Sequence, residues 1–423
     1  MVSPVLMRYS QSFINTLRSD PKDETSVNAR LLLRGGFIDK LMPGSYTFLP
    51  LGWRVYQKVE EIVRSEMNAI GGGEVLMPLL HPKDVWNETG RWSDRGVKEI
   101  MHQFKSADGR VYGLSFTHEE IFLDIVRKRS LSYKNLPVKL YHFSTKFRTE
   151  PRAKSGLLRG REFIMKDLYS LHATEEDLDN FYWQAAGAYL RVFERLGLKK
   201  VKVVEASGGV FTSGHTHEFQ VIHPVGEDTI YYCTKCDWAH NKEIHIHKVG
   251  AKCPECGGEV ETASSIEIGN IFRFGTVYSE KMKVNFKNAD GGLRPAYLGS
   301  YGIGMSRLVG VLAEVFNDDA GLVWPESAAP FKIHLVSLGG AHPAAEKIYG
   351  QLAKESVEVL WDDRDESPGV KLSDADLIGA PYRVVVSNKT LEEESVEIKK
   401  RSGGKANLVK INKFDSWLKE IGR

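Results

Sequence analysis

All four cysteines of this chain fall in one short segment, as Cys233-Thr-Lys-Cys236 and Cys253-Pro-Glu-Cys256. The spacing C-x2-C, sixteen residues, C-x2-C reads as a zinc site. Each pair closes a tight turn that aims two thiolates at one ion, and Gly257-Gly258 lets the second turn close. Four sulfurs leave no open coordination position, so the Zn²⁺ expected on Cys233, Cys236, Cys253 and Cys256 is structural. Two disulfides or four unrelated thiols are the competing readings, and disulfides are disfavoured in a cytosolic chain. His240, His245 and His247 lie between the pairs as alternative ligands or plain surface residues.

A cytoplasmic location is expected. The opening MVSPVLMRYSQSF has neither a long apolar core nor a small-residue cleavage site. No run reaches the roughly 18–20 apolar residues that span a bilayer, so no membrane partner is expected. The 423 residues carry 57 Lys+Arg against 55 Asp+Glu. That balance neither supports nor excludes nucleic acid, because phosphate contacts depend on where the cations cluster.

The apolar pattern predicts a helix over 51–70, with Glu60 and Arg64 paired at i,i+4, ended by Gly71-Gly72-Gly73. Residues 74–80 read as a strand interrupted at Pro78, which lacks a ladder donor. Residues 139–150 and 161–172 read as strands joined by a basic loop. Thr174 with Asp177 signals the start of a helix that runs to Gly197. Residues 266–286 read as strands, and glycine-rich 298–306 leads into a helix over 307–316. The stretch 324–330 resembles a linker. Strand, helix, strand, helix and strand then alternate to residue 386, as in a small α/β domain. The expected domains are therefore 1–329, with a cysteine insertion at 230–262, and 330–423.

Chemistry concentrates in two places. Arg148-Thr-Glu150 ends one strand, Arg161-Glu162 begins the next, and Arg152, Lys154 and Arg159 lie between. Guanidinium forks grip phosphate oxygens, which makes this hairpin a polyanion site; a solvated charged turn is the plainer alternative. Gly299-Ser-Tyr-Gly302-Ile-Gly304-Met-Ser-Arg307 has the look of a nucleotide loop, although it is not G-x-G-x-x-G and no Gly-Lys-Ser/Thr follows. Arg307 is its informative member. A cation in the first helical turn opposes the helix dipole and is tolerated where it reaches an anion.

Six segments, in order, resemble the prolyl branch of the class II aminoacyl-tRNA synthetases, of the bacterial type. Phe147-Arg-Thr-Glu150 and Gly156 to Ser170 resemble motif 2, Gly299 to Arg307 motif 3, and Leu51 to Pro78 motif 1. Thr117-His-Glu119 is similar to the T-x-E loop, and Gly208-Gly209 with His217-Glu-Phe219 to the SHEF segment. Asp362 to Lys371 with Asp374 to Gly379 resembles the anticodon-binding domain. The resemblance implies an α+β catalytic domain on an antiparallel sheet flanked by helices, a zinc-ribbon insertion, and a C-terminal α/β anticodon-binding domain.

It also implies a reaction: ATP and L-proline form prolyl-adenylate, and prolyl passes to the terminal ribose of tRNA(Pro), with Mg²⁺ accompanying ATP and a homodimer as the working form. Arg148, Glu150 and Arg307 carry catalysis in this reading. Arg148, Glu150, Arg159, Arg273, Thr276 and Arg307 hold ATP. Thr117, Glu119, Arg148, Asp167, His217 and Ser300 line the proline pocket; for Thr117 a helix cap and for His217 a buried core histidine are the plain alternatives. Glu218 divides evenly between pocket and surface. Asp363, Arg364 and Lys371 are the candidates for the anticodon. Departures from the family are Asn270, Arg273 and Ser300, where histidine, glutamine and cysteine are common. The editing domain usual in bacterial members cannot fit in the roughly 40 residues between Val225 and Ile266. Alanyl errors are then left to a separate deacylase. A threonyl-like synthetase and a non-catalytic tRNA-binding relative are the alternatives.

Overall fold

The computed structural model describes residues 6–212, 214–244 and 249–422. Its contacts divide the chain into two compact units: Met42–Ser45 with Glu60–Val311, and Met1–Leu41 with Tyr46–Val59 and Leu312–Arg423. This partition differs from a division at 329/330, because the N-terminal segments share a unit with the C-terminal residues.

The first of these units is built on a nine-stranded sheet. In chain order its strands are β1 (Gly73–Glu74), β2 (Val138–Phe147), β3 (Glu162–His172), β4 (Val201–Ser207), β5 (His215–Ile222), β6 (Asp228–Cys233), β7 (Ala239–Asn241), β8 (Val260–Gly275) and β9 (Tyr297–Gly304). They lie in the order β5-β4-β7-β6-β8-β9-β3-β2-β1, with β5 also paired to β8. The pairings are antiparallel except β1 with β2 and β4 with β7. The helices that matter to the site are α1 (Glu119–Arg127), α2 (Glu175–Arg195) and α3 (Met305–Val315). Thr174 caps α2 by accepting the Asp177 N–H. The helix buries Tyr182, Tyr189 and Phe193 against one face of the sheet, which leaves the other face for the site.

Three expected elements differ. Of the expected 74–80 strand only Glu74, together with Gly73 before it, joins the sheet. The chain then turns off at Pro78, whose carbonyl accepts N–H bonds from the His81 and His118 rings instead of a ladder partner. Residues 266–286 are not all strand: β8 ends at Gly275, where φ is +59°, and Val277–Lys281 is a short helix. Glycine-rich 298–304 is not a loop but β9, between β8 and β3. Its alternate positions 300, 302 and 304 face the same way. A Cβ at Gly302 would lie 3.0 Å from Met165 Cε, and one at Gly304 would lie 3.2 Å from Arg307 Cβ. The glycines therefore keep the sheet bare at the site.

In the other unit, Ile333–Ser337, Val359–Asp362 and Tyr382–Val386 form a parallel core, extended antiparallel by Ser395–Lys400 and Asn407–Lys410. Helices His342–Lys354 and Pro368–Ile378 complete the α/β alternation. Met7–Arg8 adds a further parallel edge strand beside Val359–Asp362. Among the described residues no helix is long and apolar enough to cross a membrane.

Candidate active site

Two adjoining cavities, of about 260 and 300 Å³, lie over the uncovered face of the sheet. Glu150, Arg159, Glu227 and Asp228 line the first; Thr117, Glu119, Asp167, Asn270 and Ser300 line the second. Arg148, Phe163, Glu267 and Arg307 border both. The two arginines, 159 residues apart in sequence (307 − 148), thus meet at one wall.

Arg148 follows β2, and its guanidinium lies 5.3 Å from the Phe163 ring. Its hydrogen bonds go to neutral acceptors, Phe116 O at 3.4 Å and Met165 Sδ at 3.7 Å, and Nε has no partner among the described residues. Burial pushes its pKa down, so the cation is held at a cost that a bound anion relieves. Arg307, in the first turn of α3, donates to Glu267 O at 2.7 Å and lies 3.2 Å from its carboxylate. Glu150 accepts the Arg152 N–H at 2.9 Å and pairs with Arg159 at 2.8 Å. Burial opposes ionisation there, but those partners outweigh it and hold the Glu150 carboxyl below its usual range. Arg159 also reaches Glu227 at 2.9 Å.

In the second cavity Glu119 accepts from three donors, which leaves its carboxylate room for one more. Thr117 Oγ1 donates to it at 2.7 Å, Ser300 Oγ at 3.2 Å and Arg91 Nη1 at 3.3 Å. Thr117 is therefore not a helix cap; His118 holds the N-cap position of α1 without a side-chain bond. Asp167 also lines this cavity, its carboxylate 2.6 Å from Lys146 Nζ.

Three expected site residues lie elsewhere. His217 accepts from or donates to Tyr182 Oη at 2.7 Å and packs on Trp183, both on α2. Burial, then the nearby Arg273 charge, pushes its pKa down to about 4. Arg273 pairs with Asp179 of α2 at 2.9 Å and stacks over Tyr182. Strand alternation is the reason: on β8 Asn270 and Phe272 face the cavity, while Ile271 and Arg273 face α2. Thr276 precedes the short helix and bonds Glu280 at 2.7 Å, outside both cavities.

The same alternation on β5 turns Glu218 into the second cavity, where Gln220 and Asn241 donate to it at 2.9 and 3.0 Å. Burial and neighbouring Glu267 push its pKa up to about 8, and burial raises that of Asp228 too. Crowded carboxylates that resist ionisation fit an oxygen-ligated divalent cation. Sequence reading missed Glu267, Asp228, Arg91 and Lys146, which belong to no short motif.

The four thiols converge. Their sulfurs lie within 4.8 Å of one another, with Cys233–Cys256 at 3.4 Å and Cys236–Cys253 at 3.6 Å. A tetrahedron with Zn–S bonds of 2.3 Å has edges of about 3.8 Å, so the donors fit zinc. A Cβ at Gly258 would come within 2.9 Å of Cys233 Sγ, which explains that glycine. His240 is not a ligand: it pairs with Glu205 at 3.2 Å. His245 and His247 lie outside the described residues.

The anticodon candidates are spent on internal contacts. Arg364 forks onto Asp362 at 2.7 Å and Asp374 at 2.9 Å and stacks 3.6 Å from the Tyr9 ring. Asp363 accepts from Ser10 N and Oγ, at 2.9 and 2.7 Å. Lys371 is buried and donates to Ser337 O at 2.8 Å. The N-terminal segment, by adding its strand to the sheet edge, covers the charges that the sequence left looking free.

The family described as tRNA synthetase class II core domain (G, H, P, S and T) matches residues 102–316, and the anticodon binding domain family matches 332–421. A proline–tRNA ligase of Agrobacterium fabrum is 38% identical over 437 residues, covering 96% of this chain and 98% of that protein. The chain belongs to the proline–tRNA ligase family of class II synthetases. Its relative in Wolbachia pipientis wMel is 39% identical over 417 residues, covering 96% and 98%. The family member of Halothermothrix orenii is 32% identical, covering 98% and 99%, along an alignment of 566 positions that greatly exceeds this chain's 423 residues. The fold matches a crystal structure of prolyl-tRNA synthetase from Cryptosporidium parvum complexed with halofuginone and AMPPNP. That match has a TM-score of 0.76 and 17% identity, and covers 93% of this chain and 76% of the other.

Proposed function

We propose that this chain joins L-proline to tRNA(Pro) in two steps, with ATP in the first cavity and proline in the second. The observation that carries this is Arg148, a half-buried guanidinium with neutral partners at the wall common to both cavities. In the first step an oxygen of the proline carboxylate attacks the α-phosphorus, and the bond to the bridging oxygen breaks to release pyrophosphate. Arg148 opposes the charge that accumulates on the α-phosphate, and Arg307 holds the distal phosphates after releasing Glu267. Glu119, with Thr117 and Ser300, receives the proline amine, and Asp167 faces it. Glu150 and Arg159 order the adenine end. The protein contributes positioning and electrostatics, without a nucleophile of its own. In the second step the terminal ribose hydroxyl of tRNA attacks the prolyl carbonyl and gives up its proton to the phosphate oxygen or to water, and the bond to AMP breaks, leaving the AMP phosphate beside Arg148. Proline-dependent ATP–pyrophosphate exchange tests the assignment.

Glu267, Glu218 and Asp228 would hold Mg²⁺, which supplies charge neutralisation on the triphosphate when bound. Ionising Glu218 then releases a proton, since its pKa is raised in the free protein. Below about pH 8 the affinity for Mg²⁺ in the presence of ATP is expected to rise with pH, and above it to level off. Calorimetry in buffers of different ionisation enthalpy checks the release.

The cysteine quartet would bind one structural zinc per chain. Metal analysis is expected to give that stoichiometry. Cys253→Ala is expected to lose the metal and lower Tm, because metal binding there replaces the core that so short a segment lacks. A homodimer is the expected assembly. Edge strand β1 is followed by Leu76, 83% exposed, and Leu80, 48% exposed, apolar side chains that a second copy would cover. Light scattering measures the mass. A cytoplasmic location accords with these partners.

A further inference from the structure

We propose that Lys146 is a positioning residue that fixes the Asp167 carboxylate in the wall of the second cavity and so sets the affinity for the amino-acid substrate. The proposal rests on the reading of that cavity as the proline site. Lys146 is fully buried. It lies on β2 on the same face as His142, which pairs directly across from Asp167 on β3. Its Nζ is 2.6 Å from Asp167 Oδ2, 2.7 Å from His118 Nδ1, 2.7 Å from Ser144 Oγ and 3.3 Å from His142 Nε2.

The acceptors are themselves fixed. His118 Nε2 lies 2.9 Å from Pro78 O and must donate to it, which leaves Nδ1 free to accept from the ammonium. Burial, and then the Lys146 charge, keeps His118 neutral by lowering its pKa far below the usual range; His142 is depressed as well, chiefly by burial. The donor atoms of His118, His142 and Asp167 lie within 4.8 Å of one another, the geometry of a cation site, and the ammonium is the cation.

This cluster faces the substrate through Asp167. The carboxylate lines the cavity, and a Cβ at Gly302 would lie 3.5 Å from its Oδ1, so that bare strand position leaves the oxygen uncovered. Deprived of Lys146, a carboxyl this buried takes up a proton and loses its attraction for an ammonium substrate. Glu119, which lines the same cavity, has its own partners in Arg91, Thr117 and Ser300.

The test is proline-dependent ATP–pyrophosphate exchange in Lys146→Met, Asp167→Asn and the double variant, with Ser144→Ala as a variant that loosens the ammonium without removing it. Lys146→Met is expected to raise the KM for proline by about tenfold or more while the KM for ATP stays within about twofold. Ser144→Ala is expected to shift the proline KM in the same direction by less. The double variant is expected to be no worse than the worse single one, because both changes act through one carboxylate. An unchanged proline KM in Lys146→Met or Ser144→Ala, or additive effects in the double variant, overturns the proposal. Absence of exchange in the unaltered protein overturns instead the reading on which it rests.

Discussion

Replacing Arg148 by methionine is expected to reduce proline-dependent ATP–pyrophosphate exchange by about 10³-fold in kcat/KM, at the upper end for loss of one transition-state donor. The same change is expected to leave the folded protein as stable as before, or more so. Both expectations come from one arrangement. The side chain is half-buried with Nε shielded from solvent and unpartnered among the described residues, its bonds go to a carbonyl and a thioether, and burial lowers its pKa. A charge kept in such surroundings opposes folding. Methionine can fill the space beside Phe163 without that charge, but it has no donor to offer the α-phosphate. Activity and Tm should therefore move independently, as expected where a site is held against stability. Full exchange in Arg148→Met, in protein shown to be folded by circular dichroism, would remove the residue from the reaction.

Alanine is expected to be activated at about one-hundredth to one ten-thousandth of the rate with proline, and the resulting alanyl-tRNA to persist. Alanine carries an ammonium and a carboxylate as proline does, though proline's nitrogen is secondary and in the ring, and alanine is two carbons smaller. A cavity that admits the ring admits it, and each absent methylene lowers transition-state affinity by only about 1–3 kcal/mol. Glu119 and Arg148 treat both substrates alike, so discrimination rests on contacts such as Phe272 and Met165 along the second cavity. The chain between β6 and β8 is occupied by the cysteine turns and by β7, which pairs into the sheet. Incubating purified protein with alanyl-tRNA measures the persistence. Hydrolysis well above the spontaneous rate would contradict it, and its absence calls for a separate deacylase.

Much of the site was legible because it resides in short motifs. Arg148, Glu150, Thr117, Glu119 and Ser300 lie at the cavities, and the cysteine spacing converges on one point. The differences from expectation have a common physical origin in what a linear pattern omits. His217 and Glu218 are adjacent, and only the register of β5 against β8 decides which one faces the cavity. Arg273 is turned away by the same parity. The glycines of β9 look like a phosphate loop from spacing alone, yet their purpose is to keep a central strand bare. Arg364 and Asp363 look exposed until Tyr9 and Ser10, more than 350 residues away, are placed on them. Lys146 belongs to no recognisable motif of its own, and its value depends on His118 and Asp167 arriving from other elements.

The most direct measurement is ATP–pyrophosphate exchange by the purified protein with each amino acid supplied singly. Proline should support rapid exchange, with alanine a weak second. Exchange driven by threonine in preference to proline, or no exchange with any amino acid by folded protein, would contradict the assignment of the paired cavities.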